Sequence, residues 1–175
     1  KGERGDSLEH IGTVILKVFD RLNELSQSDS AIPGLSTGLR DLDTRINGLN
    51  RSDLLLIAAR PAMGKTAFVL SMAKNIAVNF KRPVAMFSLE MSNVQLVNRL
   101  IMNVCEIEGD KIKNGRLTKQ EWNKMESKIN ELMGAPIYID DTPGLSIFEL
   151  QSKARKLVRE KKVELIIIDY LQLMN

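Results

Sequence analysis

Gly64, Lys65 and Thr66 stand in a row behind an apolar run, Leu54-Leu-Leu-Ile-Ala-Ala-Arg60, and the three residue types together suit one task, the holding of a phosphate chain. In the pattern G-x-x-x-x-G-K-[ST], backbone N–H groups curl around the phosphates, the lysine reaches the β and γ oxygens, and the hydroxyl ligates magnesium. Ala59 occupies the place of the first glycine. Alanine serves there if its φ is negative, because only a positive φ demands glycine. The expected nucleotide-binding segment is Ala59, Arg60, Pro61, Ala62, Met63, Gly64, Lys65, Thr66 and Ala67. A surface turn that holds Gly-Lys-Thr by chance is the competing reading. The helical pattern that starts at Thr66 favours the phosphate site, since a helix N-terminus attracts anions.

Acidic residues at strand ends form the second group. Asp169 closes the apolar run Leu165-Ile-Ile-Ile168, where an aspartate suits the ordering of waters around a magnesium ion held by Thr66. Glu90, in Phe87-Ser-Leu-Glu-Met91, has two readings: a general base that polarises the attacking water, or an ordinary glutamate that favours the start of the next helix. Asp140 and Asp141 precede Thr142-Pro-Gly144, which makes a turn the better account of them.

These residues need a scaffold, and the chain alternates strand and helix patterns. Apolar runs predict strands at about 54–58, at Pro83–Ser88, at Ile137–Asp140 and at Val163–Asp169. Helices are expected over a short stretch from Ser36 to Gly48, from Thr66 to about Phe80, and from a Ser92 cap to Val104. Two capping boxes, Thr118 with Glu121 and Ser146 with Glu149, open helices that reach Met133 and about Lys162. Such alternation implies right-handed crossovers and a mostly parallel sheet flanked by helices. An amphipathic helix comes first: Leu8, Ile11, Ile15, Val18, Leu22 and Leu25 repeat at the spacing that keeps one stripe on one face. From the pattern alone this helix either folds back on its own core or docks on a neighbour.

Composition narrows the chemistry. The 175 residues suit one domain with a genuine core, and 25 Lys and Arg against 22 Asp and Glu leave a net charge of only +3, which neither shows nor excludes nucleic acid as a partner. With Cys105 the only thiol and His10 the only histidine, no zinc site is expected, and magnesium is the metal to expect. A single cysteine fits a reducing cytosol, and no apolar run approaches the length of a membrane span. The chain starts without Met and stops directly after a core strand, so it is expected to be a piece of a longer protein.

Four segments in order, Ala58-Ala-Arg60-Pro-Ala-Met-Gly-Lys-Thr66, Phe87-Ser-Leu-Glu-Met-Ser92, Ile139-Asp-Asp-Thr-Pro143 and Ile167-Ile-Asp-Tyr-Leu-Gln-Leu173, resemble the bacterial replicative DNA helicases of the DnaB type. The resemblance covers about residues 7–175. It implies an α/β fold, a RecA-like P-loop ATPase core with an N-terminal amphipathic linker helix, divided as a disordered start at 1–6, the linker helix at 7–26, a linker at 27–34 and the incomplete ATPase domain at 35–175. It implies ATP and magnesium as cofactors, Lys65 and Glu90 as catalytic residues, and Thr66 and Asp169 as metal ligands. It further implies a cytoplasmic homo-hexamer joined through the helix at 8–25, a path along single-stranded DNA, and a helicase loader and primase as partners. The family's γ-phosphate sensor, arginine finger and DNA-contacting loops belong beyond residue 175, so this chain by itself is expected to bind nucleotide, hydrolyse it poorly and unwind no DNA. Two alternatives stay open: a recombinase-type RecA-like ATPase, and an assembly module that nucleotide stabilises without catalysis. A small-molecule phosphate-loop kinase is disfavoured because nothing resembles an acceptor pocket or lid.

Overall fold

A computed structural model describes residues 8–28 and 32–170. The expected disordered start, the Ser7 cap, part of the linker and the last five residues lie outside the described residues. The elements in chain order are α1 (Ile11–Gln27), α2 (Arg40–Ile46), α3 (Lys65–Lys74), a π-helical turn (Asn75–Asn79), β1 (Val84–Ser88), α4 (Asn93–Cys105), α5 (Gly109–Asn114), α6 (Lys119–Met133), β2 (Ile137–Asp140), α7 (Ile147–Lys161) and β3 (Leu165–Asp169).

The three strands form a parallel sheet in the order β2-β1-β3. β1 is central, and all five of its residues are buried. Its alternation divides the core in two. Val84 and Met86 pack with Leu70, Ala73 and Ile76 of α3 and the π turn and with Leu96 and Leu100 of α4. Ala85 and Phe87 pack on the other face with Leu145, with Ala154 of α7 and with Val163. Each fully buried side chain of this size contributes about 1.5–3 kcal/mol. The path from β1 to β2 moves one way along the sheet and the path from β2 to β3 moves back across β1. With crossovers of one hand, that reversal places α4 and α7 on opposite faces. A smaller cluster of Cys105, Ile107 and Met125 joins α4 to α6, so the lone thiol is buried as a small hydrophobe.

Capping chemistry sets the helix ends. Ser92, Thr118 and Ser146 each accept a hydrogen bond from the third helical N–H, and Gln95, Glu121 and Glu149 each accept one back from the cap residue. The Asp43 carboxylate, 2% exposed, accepts hydrogen bonds from the Ser36 hydroxyl and from both the N–H and the hydroxyl of Thr37. Burial pushes Asp43 up, and these donors outweigh it to hold the group below the usual carboxylate range. The next residue, Gly38, has φ +76° and lies so near Asn75 that a Cβ would sit 2.5 Å from the asparagine side chain. Asn75 uses that approach to donate to the Thr37 carbonyl at 3.1 Å, which ties this segment to the end of α3.

Three expectations are corrected. The run at 54–58 forms no strand: Leu54 is 85% exposed, Leu56 is 76% exposed, and no ladder joins the run to β3. An apolar run carries the side chains of a buried strand, but a strand also needs a ladder partner and covering layers. The first helix begins at Ile11, where the His10 imidazole accepts from the Gly12 N–H at 3.1 Å. No residue of α1 is buried, so the reading in which it folds back on its own core is lost. Beyond these, the structure adds α5, a six-residue helix too short to show a helical period in sequence.

Candidate functional site

The parallel register brings the acidic residues to one edge of the sheet. Ser88 pairs with Asp169 and Phe87 with Asp140, so all three strands finish at the same edge, where open α/β sheets bind ligands. The same edge receives α3. Gly64, at φ +84°, is the N-cap of α3 and carries no side chain to occupy the first N–H groups of the helix. Those groups have no intrahelical carbonyl and are left for an anion. Within the preceding loop, the Met63 N–H donates to the Arg60 carbonyl at 3.3 Å. The left-handed residues of the loop are Ala62, at φ +62°, and Gly64; Ala59 is not among them, so a side chain is tolerated where the pattern has its first glycine.

Lys65 and Thr66, the first two residues of α3, converge on Asp169. The Lys65 ammonium lies 2.9 Å from Oδ1, and the Thr66 hydroxyl donates to Oδ2 at 2.9 Å. Asp169 is 3% exposed. Its carboxylate at the end of β3 therefore sits over the helix N-terminus with a cation already drawn to it. The Lys65 ammonium also lies over the Tyr170 ring, 4.4 Å from its centroid. Sequence reasoning assigned Tyr170 no role. Its signals were its position directly after the aspartate and its place in the segment Ile167-Ile-Asp-Tyr-Leu-Gln-Leu173.

Glu90 is exposed on the turn after β1, two residues beyond the partner of Asp169. The Ser88 hydroxyl fixes that turn: it donates to the Met91 carbonyl at 2.7 Å and accepts from the Met91 N–H at 3.3 Å. Leu89 donates to the Asp169 carbonyl at 2.8 Å, which ties the turn to β3. Glu90 lines one cavity with residues 59–66 and Asp169, about 1940 Å³ in volume. This space extends into the gap between residues 54–57 and β3, which makes it larger than a nucleotide alone requires.

Asp140 and Asp141 take structural duties, as the turn reading expects. Asp140 accepts from the N–H and hydroxyl of Thr142 and pairs with Lys153 at 2.6 Å. Burial pushes Asp140 up, and Lys153 with Thr142 more than reverses that, so it stays ionised below the usual range. Asp141 accepts from the N–H of Asn93, the first residue of α4.

The donor set fits magnesium bound together with phosphate. Thr66 and Asp169 supply hard oxygen atoms 2.9 Å apart, and the Lys65 ammonium shows that the carboxylate already holds a cation. Among the described residues no cluster of three His, Cys, Asp or Glu forms a metal cage. One carboxylate and one hydroxyl, completed by water and phosphate oxygens, is the usual protein share of a magnesium site.

The comparisons with known proteins agree with this geometry. Residues 34–175 match the model of the DnaB-like helicase C-terminal domain. The chain is 46% identical over 170 residues to the replicative DNA helicase DnaB of Nostoc sp., covering 96% of this chain and 19% of that protein. It is 39% identical over 169 residues to the DnaB of Geobacillus stearothermophilus, covering 97% of this chain and 37% of that one. A solved ATPase domain superposes with a TM-score of 0.85 at 34% identity, covering 98% of this chain and 60% of the other. A DnaB-like replicative helicase, solved with attention to its interactions with primase, gives 0.84 at 34% identity, covering 95% and 41%. The chain thus spans less than half the length of these two curated relatives, and its parallel sheet flanked by helices is the RecA-like core. A phosphate loop whose lysine and threonine meet the aspartate of β3, on a fold and sequence shared with these proteins, places the chain in the family of DnaB-like helicase C-terminal domains.

Proposed function

We propose that this chain is part of the ATPase motor of a replicative DNA helicase: it binds ATP with magnesium at the N-terminus of α3, and the assembled motor hydrolyses that ATP to drive movement along single-stranded DNA. The observation that carries this reading is the convergence of Lys65 and Thr66 on the Asp169 carboxylate. Lys65 grips the β and γ oxygens from the loop. Bound magnesium neutralises phosphate charge, and Thr66 and Asp169 are the residues that hold it. Glu90, on the mouth of the same cavity, takes the proton of the attacking water at its carboxylate. The bare apolar face of α1 supports docking on a second copy, in line with a homo-hexameric ring. A primase as partner is in line with the similar DnaB-like helicase described with its interactions with primase, and a loader and the cytoplasm as the place of work belong to the same proposal. No helix among the described residues is long and apolar enough to cross a membrane.

The test is titration of a fluorescent ATP analogue with magnesium into the chain and into Lys65→Ala, with circular dichroism on both. Saturable binding that the substitution abolishes supports the reading. Two folded proteins that both fail to bind, or both bind alike, would overturn it.

A further inference from the structure

We propose that Tyr170 is a positioning residue that parks the Lys65 ammonium on Asp169 while the phosphate loop holds no nucleotide. The inference deepens the nucleotide-binding reading and rests on it for its consequence. The two partners of the ammonium, the Asp169 carboxylate at 2.9 Å and the Tyr170 ring at 4.4 Å, are consecutive residues at the end of β3, so one segment of backbone presents both. The remaining carboxylate oxygen accepts from Thr66, which leaves both oxygens of Asp169 engaged by the chain's own donors. A divalent cation on Asp169 would repel an ammonium at this distance. Nucleotide with magnesium therefore has to draw Lys65 away from the pair, and whatever steadies the parked lysine lowers the fraction of molecules ready to bind.

A tyrosine face attracts a cation through its quadrupole. The one other such contact among the described residues, Lys161 over Tyr138, is looser at 5.8 Å. If the ring merely packed against the lysine stem, leucine would replace it; if the π face matters, phenylalanine serves and leucine does not. The two substitutions therefore separate packing from parking.

The experiment compares the parent chain with Tyr170→Phe, Tyr170→Leu and Asp169→Asn, all without nucleotide and all checked by circular dichroism. Each receives a limiting dose of an amine-acylating reagent, and the Lys65 peptide is quantified by mass spectrometry against the peptide carrying exposed Lys113. Lys65 labelling is expected to rise roughly two- to tenfold in Tyr170→Leu, to rise in Asp169→Asn and to stay at the parent level in Tyr170→Phe. Affinity for the fluorescent ATP analogue is expected to rise by a similar factor in Tyr170→Leu. In the unaltered chain the Lys65 Hε resonances, identified by their loss in Lys65→Met, are expected upfield of the other lysines through the ring current. Unchanged labelling in Tyr170→Leu, equal behaviour of the Phe and Leu variants, or ordinary Hε shifts would each overturn the proposal. If the labelling pattern appears but no variant binds the analogue, the parking stands and the nucleotide reading fails.

Discussion

Thr66 and Asp169 are 103 residues apart along the chain and share a 2.9 Å hydrogen bond. Two elements create that contact. α3 begins one residue after the left-handed Gly64, and β3 ends in register with Ser88, so the helix start and the strand end meet at one edge of the sheet. A hydroxyl and a carboxylate brought together in this way need only phosphate and water to complete a magnesium shell.

Replacement of Asp169 by Asn keeps the shape of the side chain and removes its charge. The loss of magnesium-dependent affinity is expected to reach the roughly 10- to 100-fold that attends loss of groups supporting a metal. Titration of the ATP analogue with magnesium and with excess chelator measures it. An equal magnesium effect in parent and variant would remove Asp169 from the metal site.

Glu90→Gln separates binding from chemistry. The side chain is exposed and belongs to no buried cluster, so stability and nucleotide affinity are expected to stay within about twofold while phosphate release by the assembled motor falls by about 100-fold or more. Steady-state phosphate release beside the binding titration decides between base and bystander. Parental turnover in Glu90→Gln would assign the glutamate to the start of α4 alone.

The apolar stripe of α1 gives a prediction about assembly. Ile15 and Leu22 stay 47% and 55% exposed and join no core cluster, so Ile15→Glu with Leu22→Glu is expected to leave the melting temperature of the monomer unchanged and to abolish self-association. Light scattering across a concentration series reads the mass. A lowered melting temperature with unchanged mass would mean that the helix packs on its own chain.

Acid is expected to loosen α6 from its N-terminus. The Lys111 ammonium, 2.7 Å away, and the Thr118 N–H pull Glu121 down to about 2. Its folded value lies below the ordinary 4.5 of an unfolded chain, so the unfolded state binds more protons between the two. This contribution to stability is complete above about pH 4.5 and is lost as pH falls toward 2. Chemical denaturation at pH 6, 4 and 3, with Glu121→Gln beside the parent, tests the sign. The gap between the two proteins should close as pH drops, and a constant gap would refute it.

The linear order of residues determined a good part of this protein. Caps and capping boxes are local, because a Ser or Thr and the Glu or Gln three residues on find each other within one turn; the helices after Ser92, Thr118 and Ser146 were therefore legible from spacing alone. Strands β1, β2 and β3 were legible for a similar reason, as apolar runs between turn signals. The start of α3 behind Gly64 was legible because the phosphate-loop pattern sets glycine, lysine and threonine side by side at a helix N-terminus.

Tertiary structure decided what depends on partners distant in sequence. The run at 54–58 has the side chains of a buried strand yet stands exposed, since pairing needs a neighbour that a run cannot specify. The stripe of α1 announced a buried face, and among the described residues none of its side chains is buried. Glu90 reads as base or helix starter in sequence, and only the fold, through the Ser88 turn, brings it to the lining of the cavity that Lys65 shares. Tyr170 gained its place only when β3 carried it over the lysine of α3. Short-range chemistry is written in spacing, whereas contacts across a hundred residues arise from register and crossover, which no local pattern contains.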